Sequence, residues 1–215
     1  MNTTRQDTRQ HILDTGRRLI AGKGFTSVGL NEILLAASVP TGSFYHYFAS
    51  KEQYGCSLLE SYFDAYLSHI DELFDTATLS ARERLIIYWQ RWMDTQCDDC
   101  LDSRCLVVKL SAEVADLSET MRRALHDGTN GAVARIGNCI DEGVADRSLP
   151  MFDGLTTAQM LYQLWLGASL LGKIQRSRAP LEQAMVVTLR VLSGGFSVSG
   201  DGSVWLAPVN SSAPP

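Results

Sequence analysis

The chain reads as an all-α protein, an N-terminal three-helix DNA-binding module joined to a larger helical regulatory and dimerisation domain. Three observations carry that expectation. Apolar residues recur at helical rather than strand spacing in successive segments from Ile12 to Leu192. The stretch Leu30–Lys51, LNEILLAASVPTGSFYHYFASK, has the layout of a helix, a tight turn and a second helix. Two adjacent apolar helices, separated near Pro180, precede a tail rich in Gly, Ser and Pro. The expected division is residues 1–55 for a helix-turn-helix module, 56–195 for a ligand-sensing and dimerisation domain, and 196–215 for a disordered tail.

Composition and charge narrow the function. With 45% apolar residues in 215, the chain has material for a buried core without covalent staples, and an odd number of cysteines reads as free thiols. A net charge of −5 argues against nonspecific coating of nucleic acid. Charge is unevenly placed, however: Arg5, Arg9, Arg17, Arg18, Lys23 and Lys51 outnumber Asp7, Asp14, Glu32 and Glu52 in residues 1–55. A mildly basic module on an acidic body suits a reader of double-stranded operator DNA that relies on a few placed phosphate contacts and on two-fold symmetry. No apolar run reaches transmembrane length, and MNTTRQDTRQ lacks the apolar segment of a signal peptide, so a cytoplasmic location without a membrane partner is expected.

The first helix is expected after a short polar arm, with Asp7 and Gln10 spaced as a capping pair and Ile12, Leu13, Leu19 and Ile20 as its stripe. Gly22 and Gly24 end it. Arg5 and Arg9 are candidates for phosphate contacts; a solvated helix start explains them equally. Leu30, Ile33, Leu34 and Ala37 give the second helix one apolar face, until Ser38, Val39 and Pro40 interrupt it. Pro40 suits the first turn of the third helix, where its missing N–H would go unpaired anyway. Phe44, Tyr47 and Phe48 form the apolar underside of that helix. Thr41, Gly42 and Ser43 form a small leading edge able to approach base edges, and Tyr45 and His46 reach the DNA backbone. His46 is not favoured as a metal ligand, since no second ligand lies near it in the chain. Ser50, with Gln53, reads as the N-cap of a long fourth helix, and Lys51 just inside it is placed to face the flanking phosphates.

In the body, the helix from Ala81 to about Thr95 carries Trp89 and Trp92, and a later one carries Trp165; these rings are core or line a ligand cavity. Between them, QCDDCLDSRCLVVKL brings together Cys97, Cys100 and Cys105. Asp102 and Ser103 are N-cap residues that place Cys105 in the first turn of a helix. Helix N-termini favour a thiolate, and Arg104 and Lys109 add positive charge, so Cys105 is a candidate nucleophile; the other reading is a small buried apolar residue. The Cys97–Cys100 pair is half of a zinc site with no second half, a pair of resolving thiols for an oxidised Cys105, or bystander loop. Ser118 to about Arg147 reads as a long helix. The apolar helices from Leu155 to Arg178 and from Pro180 to about Leu192 suit a homodimer interface, or else an intramolecular bundle. Lys173 lies in the first of these, desolvated or at the surface.

The run VPTGSFYHYFASKEQY resembles the signature of the TetR-type repressors, an aromatic-rich recognition helix followed by a Lys opening the next helix. CLVVKLSAEVADLSE and LWLGASLLGKIQRS are similar to the N-ethylmaleimide reductase repressor branch of that family. The resemblance implies a homodimeric repressor released from its operator when the cysteine opening CL-x-VKLSAEV reacts with an electrophile or oxidant. A lysine in a later helix is that cysteine's partner in the branch, and the matching positions are Cys105 and Lys173. The alternative is the same repressor induced by a reversible small molecule held by Trp89, Trp92 and Trp165. A thiol enzyme is not favoured, because the CxxC lacks a strand-then-helix context and no paired acid–base constellation accompanies it; no cofactor is called for.

Overall fold

The computed structural model describes residues 2–96, 106–151, 153–198 and 204–206, and within these all side chains except those of 2–6, 112, 196–198 and 204–206. Among the described residues the helices are α1 (Asn2–Lys23), α2 (Leu30–Ala37), α3 (Thr41–Tyr47), α4 (Lys51–Phe74), α5 (Ala81–Thr95), α6 (Leu106–Ala115), α7 (Glu119–Ala145), α8 (Gly154–Gln175) and α9 (Ala179–Leu192). No described helix is long and apolar enough to cross a membrane.

One expectation is corrected. Helix α1 already begins at Asn2, so Asp7 lies inside it and caps nothing; no Pro or Gly stands in residues 2–15 to stop the helix. Gln10 instead donates to Asp14 and to Ser61 on α4, both at 3.1 Å. In the tail, Phe196–Val198 (β1) pairs antiparallel with Val204–Leu206 (β2), Ser197 opposite Trp205. Those six residues are mostly β-branched, aromatic or large apolar types that suit strands.

By packing, the chain forms two units, Met1–His69 with Asp94–Ala132, and Ile70–Met93 with Val133–Pro215. In the first, Ile12, Ile20, Ile33, Phe44, Phe48 and Tyr54 are essentially inaccessible to solvent and draw α1, α2, α3 and the start of α4 around one core. Tyr54 sits deepest, its hydroxyl donating to the carbonyl of Ile12 at 3.2 Å, and burial pushes its pKa upward with help from Asp14. Gly16 makes room for it: a Cβ there would lie 1.7 Å from the Tyr54 hydroxyl oxygen.

The second unit is organised by indoles. Trp89 and Trp165 stack with centroids 5.1 Å apart at 16°, and Trp92 leans on both. A buried donor needs an acceptor. The Trp92 N–H donates to Ser169 Oγ at 3.0 Å and the Trp165 N–H to Thr188 Oγ1 at 2.9 Å, and both hydroxyls pass the bond on to helix carbonyls. Arg135 on α7 grips Asp71 on α4 with two parallel bonds of 2.6 and 2.9 Å. Helix α8 starts at an Asp153 cap that accepts from the N–H of Thr156 at 2.7 Å and packs along α9.

Gly16→Ala is expected to displace Tyr54 and to destabilise the chain by about 1–3 kcal/mol, as overpacking of a close-fitted site does. Urea unfolding followed by circular dichroism measures it, and an unchanged midpoint would show that Tyr54 has room to move.

Candidate nucleic-acid interface

The turn between α2 and α3 is built from backbone. Ser38 takes a left-handed conformation at φ 55°, and the N–H groups of Ser38 and Val39 return to the carbonyls of Leu35 and Leu34 at 3.2 and 3.0 Å. Pro40 then stands extended, φ −63° and ψ 148°, as the residue capping α3 rather than inside its first turn, and its carbonyl accepts from the N–H of Ser43 at 2.9 Å. Its fixed φ suits both places, which is why the sequence left them hard to tell apart.

Helix α3 divides into two sides. Phe44 in the helix and Phe48, the extended residue that ends it, are 0% and 1% exposed, and their rings lie 5.5 and 5.1 Å from that of Tyr54. On the opposite side Thr41, Gly42, Tyr45 and His46 are exposed, with Ser43 half-buried. A Cβ at Gly42 would meet nothing within 4 Å, so the leading edge is open. Arg9 reaches round from α1 to lay its guanidinium 5.4 Å from the Phe48 ring centroid. The Ser50 hydroxyl accepts from the N–H of Gln53 at 3.1 Å, and Gln53 Oε1 accepts from the N–H of Ala49.

The Lys51 ammonium donates to the Phe25 carbonyl at 2.8 Å and lies 4.7 Å from the Phe25 ring centroid, while the residue stays half-exposed. Burial holds its pKa below the ordinary lysine value, partly offset by the negative charge of Glu113. A four-carbon stem lets the group fold back on the α1–α2 turn, and that possibility leaves no mark in residue spacing.

Glu113 on α6 is a residue the sequence reading passed over. Its carboxylate accepts from the N–H of Phe25 at 3.0 Å and from both the N–H and the hydroxyl of Thr26. Burial raises its pKa, but the Thr26 and Phe25 bonds and the positive charge of Lys109 outweigh that, and the carboxyl titrates below its ordinary value. Glu52, second in α4, accepts from the hydroxyls of Ser118 and Thr120.

The sensing candidates are spread differently. Cys97, Cys100 and Cys105 lie outside the described residues; α6 begins at Leu106, with Lys109 half-buried upon it. Lys173 is in the last turn of α8 and exposed on the single chain, so of its two readings the surface one describes the protomer. Trp89, Trp92 and Trp165 are 0%, 7% and 0% exposed and packed on one another, as core residues are. Two free thiols are described: Cys56, half-buried and donating to Thr120 Oγ1 at 3.3 Å, and Cys139, buried, with its pKa pushed up to about 12 by burial.

A short helix with a buried aromatic underside and an exposed polar leading edge, set after a tight turn, is the reading head of a helix-turn-helix DNA-binding regulator. Residues 12–53 match the family of bacterial regulatory proteins, tetR family, and residues 81–187 match the tetracyclin repressor-like C-terminal domain. The chain belongs to the TetR family. It is 43% identical over 191 residues to the HTH-type transcriptional repressor NemR of Escherichia coli (strain K12), covering 88% of this chain and 96% of that one. It is 31% identical, over 87% of this chain and 93% of the relative, to the HTH-type transcriptional repressor DhaR of Mycobacterium sp. (strain GP1). The crystal structure of the reduced form of E. coli NemR superposes with a TM-score of 0.83, covering 87% of this chain and 97% of that one.

Phe44→Ala is expected to destabilise the module by about 3–5 kcal/mol. Tyr45→Ala, on the exposed side, stays within about 0.5 kcal/mol of wild type in stability and lowers DNA affinity. Urea unfolding and fluorescence anisotropy on labelled DNA separate the two, and a Tyr45→Ala protein that binds like wild type removes Tyr45 from the interface.

The Glu113 contacts make a pH prediction with a definite sign. A carboxyl whose folded pKa lies below its unfolded value contributes stability that is complete above the unfolded value, near 4.5, and is lost as pH falls through the lower folded one. Below pH 4.5 wild type should lose stability more steeply than Glu113→Gln; parallel acid-unfolding curves would show that the contacts do not favour the charged form.

Proposed function

We propose that the chain is a homodimeric transcriptional repressor that leaves its operator when an electrophile or oxidant modifies Cys105. The observation that carries this reading is the 43% identity to a named repressor along 96% of that protein's length, a relative whose crystal structure is described by its redox state, the reduced form. In this reading residues 1–55 bind DNA: Thr41, Gly42 and Ser43 face base edges, and Tyr45, His46 and Arg9 contact the backbone. Lys51 faces the flanking phosphates from its place against the α1–α2 turn. Residues 56–195 sense and dimerise. Met160, Leu171 and Ile174 on α8 and Val186 on α9 are exposed apolar side chains on the single chain, and the same pair of helices from a second copy would cover them. Such a dimer presents two α3 helices to two half-sites, and a cytoplasmic location goes with that role.

Cys105 immediately precedes Leu106, the first residue of α6, and Lys109 follows one turn on. A helix N-terminus and a nearby ammonium favour the thiolate. The thiolate adds across the C=C of N-ethylmaleimide or a quinone, or is oxidised by hypochlorite, with Lys173, Cys97 and Cys100 as candidate partners for the oxidised sulfur. Cys139 fits no such role, because burial suppresses its ionisation. One observation favours a second reading, induction by a reversible ligand: the Trp89 N–H is buried without an acceptor among the described residues, a donor that a bound polar molecule would satisfy.

The test is operator release. Reduced protein on the DNA upstream of its own gene is expected to dissociate on addition of hypochlorite, a quinone or N-ethylmaleimide, while Cys105→Ser stays bound and Cys56→Ser behaves as wild type. Equal release of wild type and Cys105→Ser would move the switch to another thiol or to the indole cluster.

A further inference from the structure

Helix α6 and the start of α7 are each fastened to the DNA-reading elements at one place. At the first, Glu113 takes three donors from the α1–α2 turn: the N–H of Phe25, the N–H of Thr26 and the Thr26 hydroxyl. The turn is shaped to admit the carboxylate, since Gly24 stands at φ +94° and a Cβ there would lie 2.9 Å from Glu113 Oε2. Phe25 passes the connection on, because its carbonyl and ring hold the ammonium of Lys51, the first residue of α4, four positions after the end of α3. At the second, the hydroxyls of Ser118 and Thr120, one just before α7 and one in its first turn, donate to Glu52, the next residue of α4.

Between the fastenings lies a cleft of about 350 Å³, lined by Phe25, Thr26, Lys51, Glu52, Leu117, Ser118 and Met121. Leu117, on its wall, is 53% exposed. Along this seam charged hydrogen bonds join the two sides beside close packing, since a Cβ at Gly55 would lie 2.7 Å from Met121 Cε. Such a joint has discrete made and broken states: a carboxylate shifted by an ångström or two loses all three donors together.

We infer that Glu113 is a positioning residue, the latch through which α6 and the DNA-reading helices report their positions to each other. Its place in α6, the helix that opens directly after Cys105, makes it the step by which a change at the helix N-terminus reaches α3, and that part of the inference rests on the function proposed above. Coupling of this kind is reciprocal: if α6 biases DNA binding, DNA binding must bias α6, whatever molecule acts as effector.

Reciprocity supplies a test that needs no effector. A duplex selected from a random pool for binding to the full-length wild-type protein is added to wild type, Glu113→Gln and Thr26→Val, and amide hydrogen exchange is followed by mass spectrometry. In wild type the duplex should slow exchange in peptides from α1–α3 and also in Leu106–Ala115, by about fivefold or more at the low end of allosteric couplings. In Glu113→Gln the change in α1–α3 should persist and that in α6 should fall below about twofold. Thr26→Val, which keeps both N–H donors, should fall between them, and it serves alone if Glu113→Gln does not fold. A wild-type α6 that ignores the duplex, or variants that respond as wild type does, overturns the latch. In parallel, the N-ethylmaleimide concentration that half-releases the duplex should rise about fivefold or more in Glu113→Gln. If wild type is not released by N-ethylmaleimide while the exchange coupling is present, the electrophile reading fails and the latch stands; if release and exchange are both unchanged by the variants, the reverse holds.

Discussion

Helix α3 has seven residues, too few to be stable alone in water, where the first turn of a helix is unfavourable to form. It exists because Phe44 and Phe48 are buried against Tyr54, and the geometry of that contact sets where its other side points. Tyr54 in turn depends on the Ile12 carbonyl for its hydroxyl and on the missing side chain at Gly16 for its space. A small set of residues on α1, α3 and α4 thus fixes the reading head, and α2 enters through its backbone turn and the buried Ile33.

The body solves a different problem. Its largest side chains, Trp89 and Trp165, carry polar N–H groups that must be buried with the rings. Two of the three clustered indole donors are met by hydroxyls of α8 and α9 that themselves bond back to the same helices, so Ser169 and Thr188 are polar residues serving an aromatic core. Isosteric apolar replacements there would strand buried donors. The apolar side chains left outside, Met160, Leu171 and Ile174, lie on the same helix that supplies Trp165 to the inside.

Much of this was legible because it depends on periodicity. The apolar faces of α2 and α5, the buried Phe44 and Phe48, and the exposed leading edge of α3 all follow from spacing and residue type. What spacing does not encode is where a long polar side chain ends. The contact of Lys51 with the Phe25 carbonyl is not written in its position in α4; Glu113 sits inside the very motif read for its cysteine, yet its partners are 87 and 88 residues away. Tyr54 belonged to the signature that disclosed the family, but only three dimensions show that it fills the notch at Gly16. Asp7 failed as a cap because capping needs a helix to begin there, and nothing in residues 2–6 prevents α1 from starting earlier.

The two-sidedness of α3 also bears on how such a regulator diverges. Thr41, Gly42, Tyr45 and His46 take almost no part in the core, so replacing them leaves the fold where it is. Selection can therefore try new combinations on the outer side while the aromatic underside stays constant, and a duplicated copy can acquire a new target sequence without first acquiring new stability. Recognition drifts while architecture does not, and the boundary between the two runs lengthwise through a single helix.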